Sequence, residues 1–264
     1  MKRGRFVWAM LLAVVLATCS FAPAIAPTAA AAASEEITVS AAVSLKDALD
    51  EISNLYQRQK PDTKLRFNLG GSGALMRQIE QGAPVDVFIS ASPDEMNALA
   101  MKGMLLEGTR RDLLKNRIVL IVPVGTSGVE TFQDLDKQEV KRIGIGEPQT
   151  VPAGTYAQQV LTHLGIYDRL KPKLILGKDV RQVLTYVASG NVDAGIVYAT
   201  DAKVSDKVRV VASAQEDWHS PVIYPVAVLK DSKHAAAAKN FEAFLSGPAA
   251  KPAFEKYGFV PAGK

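Results

Sequence analysis

Apolar and polar positions along this chain follow two periods that take turns. "ITVSAAV" (37–43) is a short β-branched, apolar run. Behind it Leu45, Ala48, Leu49, Ile52, Leu55 and Tyr56 recur at the 3.6 spacing that places them on one helix face. "KLRFNL" (64–69) leads to a helix over 74–81. "VDVFISA" (85–91) leads to one that opens at Ser92-Pro93, with Glu95 predicted to close a capping box, and stops at Gly103. The alternation continues with strands at 117–123, 142–146, 173–177, 193–199, 208–212 and 223–229. Helices are expected at 153–164, 180–189, 235–246 and 249–257. Continuous apolar strands between amphipathic helices predict an α/β protein with parallel sheet covered on both faces. No fixed-period repeat and no Pro/Ser-rich linker interrupts the pattern, so any second lobe is joined by strands rather than by a loose tether.

The first 33 residues fall outside that alternation. Lys2, Arg3 and Arg5 precede an apolar run from Phe6 to Ala17, and a small-residue stretch ends at Ala31-Ala32-Ala33. That is the layout of a secretory signal, with cleavage expected near Ser34; the run is shorter than the ~20 residues of a membrane-spanning helix. "LATC" around Cys19 offers the alternative of a lipoprotein anchored there. The three basic residues of this segment supply most of the formal +4 charge, so the balance of the rest is near neutral and does not point to nucleic acid. Cys19 is the sole cysteine; a processed chain would have no disulfide, thiolate nucleophile or cysteine metal site.

In open α/β sheets ligands bind outside the carboxyl ends of the strands. Those ends carry Ala42-Val43-Ser44, Gly71-Ser72-Gly73, Ser90-Ala91-Ser92, Pro152-Ala153-Gly154, Asp179-Val180 and Tyr198. Most feed helix N-termini, which present unpaired N–H groups and a positive dipole end suited to an anion. One exposed dipole contributes only ~0.3–1 kcal/mol; several converging would matter. Taken singly the residues have plainer readings: Ser44 as an N-cap, Ser72 as a turn residue, Tyr198 as core. Asp47, Asp86 and Asp179 adjoin these turns and are expected to be solvated or to cap backbone.

A hydrolase using Ser72 is the enzymatic alternative. Gly70-Gly71-Ser72-Gly73-Ala74 lacks the last glycine of a nucleophile elbow, and none of His163, His219 and His234 falls at a strand's carboxyl end. "GIGEPQ" lacks the third glycine of a dinucleotide fingerprint, and no phosphate-binding GxxxxGK[ST] or zinc-spaced histidine pair occurs.

Five blocks in order, "AAVSLKDALDEI", "GGSGALMRQIEQGAPVDVFISAS", "VPAGTYAQQVL", "KDVRQVL" and "GIVYATDA", followed by "YPVAVLK" and "KYGF", give the chain its resemblance to the periplasmic molybdate-binding proteins of ABC transporters. The resemblance implies a two-lobed type II periplasmic binding protein fold, each lobe a mainly parallel sheet flanked by helices, with the ligand in the interlobe cleft. On it residues 34–117 and 219–264 form lobe I and 118–218 form lobe II, with crossings near 117–123 and 213–222. Molybdate, and tungstate of nearly the same size and charge, would be held by Ser44, Ser72, Ala153, Val180 and Tyr198 through the oxyanion's oxygens. No cofactor, catalytic residue or direct metal ligand is implied. The partners would be the anion and a membrane permease, with a monomer exported to the periplasm; sulfate or another small oxyanion is the alternative ligand. The family's segment before the second helix is often serine-rich, whereas here Gly71 and Gly73 flank a single Ser72, leaving fewer spare hydroxyls. A site of donors alone would disfavour protonated phosphate, whose hydroxyl would lack an acceptor, and would reject sulfate only by size.

Overall fold

The computed structural model describes residues 35–263; the expected signal peptide and Cys19 lie outside them. The chain begins with β1 (Glu35–Ala42), α1 (Lys46–Gln59), β2 (Thr63–Gly70), α2 (Ser72–Glu80), β3 (Val87–Ile89), α3 (Pro93–Met101) and β4 (Arg111–Lys115). It continues through β5 (Ile118–Pro123), β6 (Ile143–Gly146), α4 (Pro152–His163), α5 (Tyr167–Leu170), β7 (Leu174–Gly177), α6 (Val180–Ala188), β8 (Ala194–Tyr198), α7 (Ala199–Lys203) and β9 (Val208–Ser213). It closes with β10 (Ile223–Val228), α8 (Ala235–Leu245), α9 (Lys251–Lys256) and β11 (Val260–Pro261).

These strands form two sheets. One has the order β11-β4-β10-β3-β1-β2 and the other β7-β6-β8-β5-β9; we call the halves built on them lobe I and lobe II. The chain passes between the sheets twice, from β4 to β5 and from β9 back to β10. The first passage occupies only Asn116 and Arg117, so it is short.

The sheets are mixed rather than mainly parallel. β1 pairs in parallel with β2 and β3, but β10 runs antiparallel to β3 and β4. In lobe II, β6 is parallel to β7 and β8, while β5 is antiparallel to β8 and β9. The reversed strands are the ones that carry the chain across. "IVLIV" of β5 is buried throughout, and a strand covered on both faces is continuously apolar whichever way it runs. β4 was not expected: "RDLLK" has two buried leucines among charges, too short a run to carry a period. β11, two residues long, has none at all.

Elsewhere local chemistry accounts for the elements. In α1, Ala48, Leu49, Ile52 and Tyr56 are buried, and Tyr56 meets Phe241 and Phe244 edge-on at 5.1 and 5.0 Å. Ser92 caps α3 by accepting from the Asp94 N–H, with Pro93 in the first turn. The expected capping box does not close, because Glu95 turns back to accept from Ser90 Oγ at 3.2 Å. Burial of that carboxyl raises its pKa. α2 begins two residues earlier than the apolar pattern indicates, so Ser72 and Gly73 sit in its first turn.

Candidate functional site

Ser44, Ser72, Ala153, Val180 and Tyr198 all line one small cavity between the lobes. Ala42, Val43, Gly70, Gly71, Ala91, Val151 and Pro152 complete its wall, so no charged side chain lines it. A larger hollow, lined by Glu35, Glu36, Asp86, Asp231 and His234 among others, lies at the amino ends of β1 and β3, away from all five residues.

Each wall residue reaches the cavity by a local device. Ser72 is the first residue of α2, Val180 the first of α6, and Ala153 follows Pro152 at the start of α4. N–H groups in a helix's first turn have no acceptor within their own helix. Pro152 has no N–H, and its fixed φ suits the first helical position. Asp179 caps α6 through the Gln182 N–H at 2.8 Å, as a backbone-capping role predicts. Ser44 lies in the single 3-10 turn between β1 and α1 and caps nothing; the N-cap reading of this serine fails.

The hydroxyls are polarised by their partners. Ser72 Oγ accepts from the Ala91 N–H at 2.9 Å, which leaves its own proton free for the cavity. Ser44 Oγ lies 3.0 Å from Tyr224 Oη, which in turn faces Asn116 Nδ2 at 3.3 Å. The orientation of that amide is set because Asn116 Oδ1 accepts from the Arg117 N–H at 2.9 Å. An amide NH₂ only donates. Tyr224 can therefore accept there, give its proton to Ser44 Oγ, and leave the Ser44 proton to point inward.

Tyr198 differs. It is buried, and its Oη has no hydrogen-bond partner among the described residues. An unpaired buried hydroxyl costs about 1–3 kcal/mol. Burial raises the phenol pKa well above 10 for both Tyr198 and Tyr224, so each stays a protonated donor. The rings of Tyr156, Tyr198, Tyr224 and Phe259 pack edge-to-face in series, with centroids 6.5, 5.7 and 5.5 Å apart.

The glycines beside Ser72 have a steric cause that lies in the other lobe. A Cβ on Gly73 would stand 2.8 Å from the Thr150 carbonyl oxygen, and one on Gly71 3.0 Å from that of Lys178. Gly73 N–H also donates to the Thr150 carbonyl at 3.1 Å. The Gly-Ser-Gly segment is thus where lobe I backbone lies directly on lobe II backbone.

Charge stands just outside the wall. Arg181 Nε donates to Asp201 Oδ1 at 2.5 Å, and its Nη2 donates to Asp47 Oδ2 at 2.6 Å and to the Ser44 carbonyl at 3.3 Å. Asp47 is therefore paired, not solvated. Asp86 lies away from the cavity, in the larger hollow, where it is buried and accepts from the Thr38 N–H and from Ser232 Oγ at 2.7 and 2.6 Å. Asp201 is fully buried; burial outweighs the pull of Arg181 and holds its pKa up at about 6. Asn116, Tyr224, Arg181 and Asp201 were not singled out by strand-end reasoning. Tyr224 sits inside a strand, and the other three show no motif of their own.

A family description, "Bacterial extracellular solute-binding protein", matches residues 37–260. The chain belongs to this family of bacterial extracellular solute-binding proteins. Among its relatives, YvgL of Bacillus subtilis, named as an ABC transporter substrate-binding lipoprotein, is 46% identical over 85% of this chain and 86% of its own. The molybdate-binding protein ModA of Haemophilus influenzae is 38% identical over 86% of this chain and 91% of its own. The periplasmic molybdate-binding protein of Azotobacter vinelandii superposes with a TM-score of 0.77 at 26% identity, over 85% of this chain and 98% of that one. The type II periplasmic binding protein fold expected from the sequence is therefore the fold of this solute-binding protein. It is a binding protein and not an enzyme, so the Ser72 hydrolase reading is overturned. In the structure Ser72 Oγ accepts the Ala91 backbone N–H. A substrate-binding protein of an ABC importer works outside the cytoplasm and has two partners, its ligand and a membrane permease.

Proposed function

We propose that this solute-binding protein captures molybdate in the cavity between its lobes and delivers it to an ABC permease. The observation that supports this reading most is the buried Tyr198 phenol, which lacks a partner among the described residues and lines the same cavity as Ser44 and Ser72. Ser44 and Ser72 supply hydroxyl protons from lobe I. Ala153 and Val180 supply backbone N–H groups from lobe II, and Tyr198 supplies its phenol. Hydrogen bonds to a charged acceptor are worth roughly 1.5–3 kcal/mol each. Five of them hold a dianion tightly without a cation in the wall, after the costs of association are met.

A donor-only wall suits a fully deprotonated tetrahedral oxyanion and leaves the hydroxyl of protonated phosphate unpaired. Tungstate, nearly equal in size and charge, binds as well; the smaller sulfate falls short of some donors. Closure brings lobe I (34–117 and 219–264) onto lobe II (118–218), each carrying part of the donor set. The protein acts as a monomer exported by its first 33 residues, and Cys19, in a chain related to a protein named as a lipoprotein, is the alternative point of anchorage.

Calorimetric titration with molybdate, tungstate, sulfate and phosphate tests the reading. Tight one-to-one binding of the first two, with the last two far weaker, is expected. Preference for sulfate would replace the ligand with the smaller oxyanion, and no binding of any of the four would refute an oxyanion site.

A further inference from the structure

Beside the neutral cavity lies a charged bridge that no donor role requires. Arg181 is the residue after Val180, in the first turn of α6 of lobe II. Its guanidinium reaches the opposite lobe at two atoms, Asp47 Oδ2 at 2.6 Å and the Ser44 carbonyl at 3.3 Å. On its own side it is held by Asp201 at 2.5 Å. Val180 and Ser44 are both walls of the cavity, so the bridge spans from the neighbour of one wall residue to the backbone of another.

We propose that Arg181 is a positioning residue for ligand capture, a latch that ties the closed lobes together beside the cavity and sets how slowly the ligand leaves. The inference rests on the cavity being the ligand site. Its two halves are unequal. Asp201 has no exposed side-chain surface, while the side chains of Asp47 and Arg181 keep 33% and 20%. The Asp201 contact lies within lobe II, so it survives opening and presents the guanidinium at the lobe's surface. The Asp47 and Ser44 contacts lie across the junction and are the ones that opening breaks. Both partners then meet water, so opening strands no charge in a dry interior. A single arginine serves three acceptors because its planar fork carries donors in fixed directions, which a lysine ammonium lacks. Such a device resists separation more than it speeds encounter, and affinity differences among variants of one interface reside mostly in the dissociation rate.

The test compares wild type, Asp47→Ala, Asp47→Glu and Arg181→Gln with molybdate as the probe, following fluorescence of Trp218 in the return passage between the lobes. Asp47→Ala is expected to release molybdate about tenfold faster, within the usual range of coupling between linked events, with the association rate changed by less than about twofold. Asp47→Glu, which keeps the charge, is expected to restore most of the slow release. Arg181→Gln is expected to lose at least as much, and adding Asp47→Ala to it is expected to cost little more. Release from Asp47→Ala at the wild-type rate overturns the latch, even if Arg181→Gln proves too unstable to measure. Failure of wild type to bind molybdate sinks the ligand reading instead. Small-angle scattering on the ligand-free proteins then judges the latch alone: a larger radius for Asp47→Ala supports it, and equal radii overturn it.

Discussion

The cavity wall and the bridge behind it are neighbours built on opposite electrostatic plans. The wall holds hydroxyls, helix-start N–H groups and a phenol, with no charged side chain. One residue further along α6, an arginine lies between two carboxylates. The difference teaches how a protein can favour an anion without setting a cation against it. Fixed dipoles in a dry, enclosed space stabilise charge with little reorganisation. A cation in the wall would attract sulfate and phosphate as readily as any other anion, whereas placed outside the wall it can hold the lobes together and leave selection to geometry.

That contrast can be broken first at Ser72. Ser72→Ala removes one inward donor and leaves the Ala91 N–H without its acceptor. A charge-assisted hydrogen bond of roughly 1.5–3 kcal/mol corresponds to about a 10- to 150-fold loss of affinity, read by titration calorimetry. A loss below threefold would mean that Ser72 only shapes the wall. Gly73→Ala asks whether closure matters, since its Cβ would press on the Thr150 backbone. Overpacking of about 1–3 kcal/mol is expected to weaken binding with little change in melting temperature, because the pressed surfaces separate when the lobes open. An equal loss of stability would place the strain within a lobe.

A smaller effect is expected at Tyr224→Phe, which frees Ser44 Oγ from the proton it receives and lets that hydroxyl act as an acceptor. Discrimination between molybdate and protonated phosphate should narrow, by several-fold rather than by orders of magnitude; competition titration near pH 6 measures it. The subtlest test concerns the charged region. Asp201 holds its proton up to about pH 6, against an ordinary value of 3.8. The folded state therefore binds more protons than the unfolded chain between these values. Its contribution to stability is fully present below about pH 3.8 and is lost as the pH rises through 6. Asp201→Asn should flatten that part of the stability profile in chemical denaturation, and an unchanged slope would show the carboxyl to be ionised throughout.

Much of the site was legible because it lies where periods change. Ser44, Ser72, Ala153, Val180 and Tyr198 stand where a strand pattern ends and, for most, a helical one begins, and those ends share one edge in an α/β fold. Gly71 and Gly73 were visible as permissive residues, yet their cause lies far along the chain: Thr150 is 77 residues from Gly73, and Lys178 is 107 residues from Gly71. The direction of the strands was hidden for a related reason: a fully covered strand such as β5 has the same apolar sequence in either orientation.

Local periodicity determined the alternation of elements and the strand ends at which a ligand would lie, because backbone periods and helix-start chemistry are local; the two-lobed class and the choice of the five wall positions among those ends followed from the resemblance of whole sequence blocks to a known family. Only the tertiary structure decided which hydroxyls are left to donate, why glycine flanks Ser72, and what Arg181 holds. Those depend on atoms brought together across two crossings of the chain, such as Ser44 with Tyr224, 180 residues apart, and Arg181 with Asp47, 134 apart. No spacing along the chain encodes a contact that exists only when two lobes close.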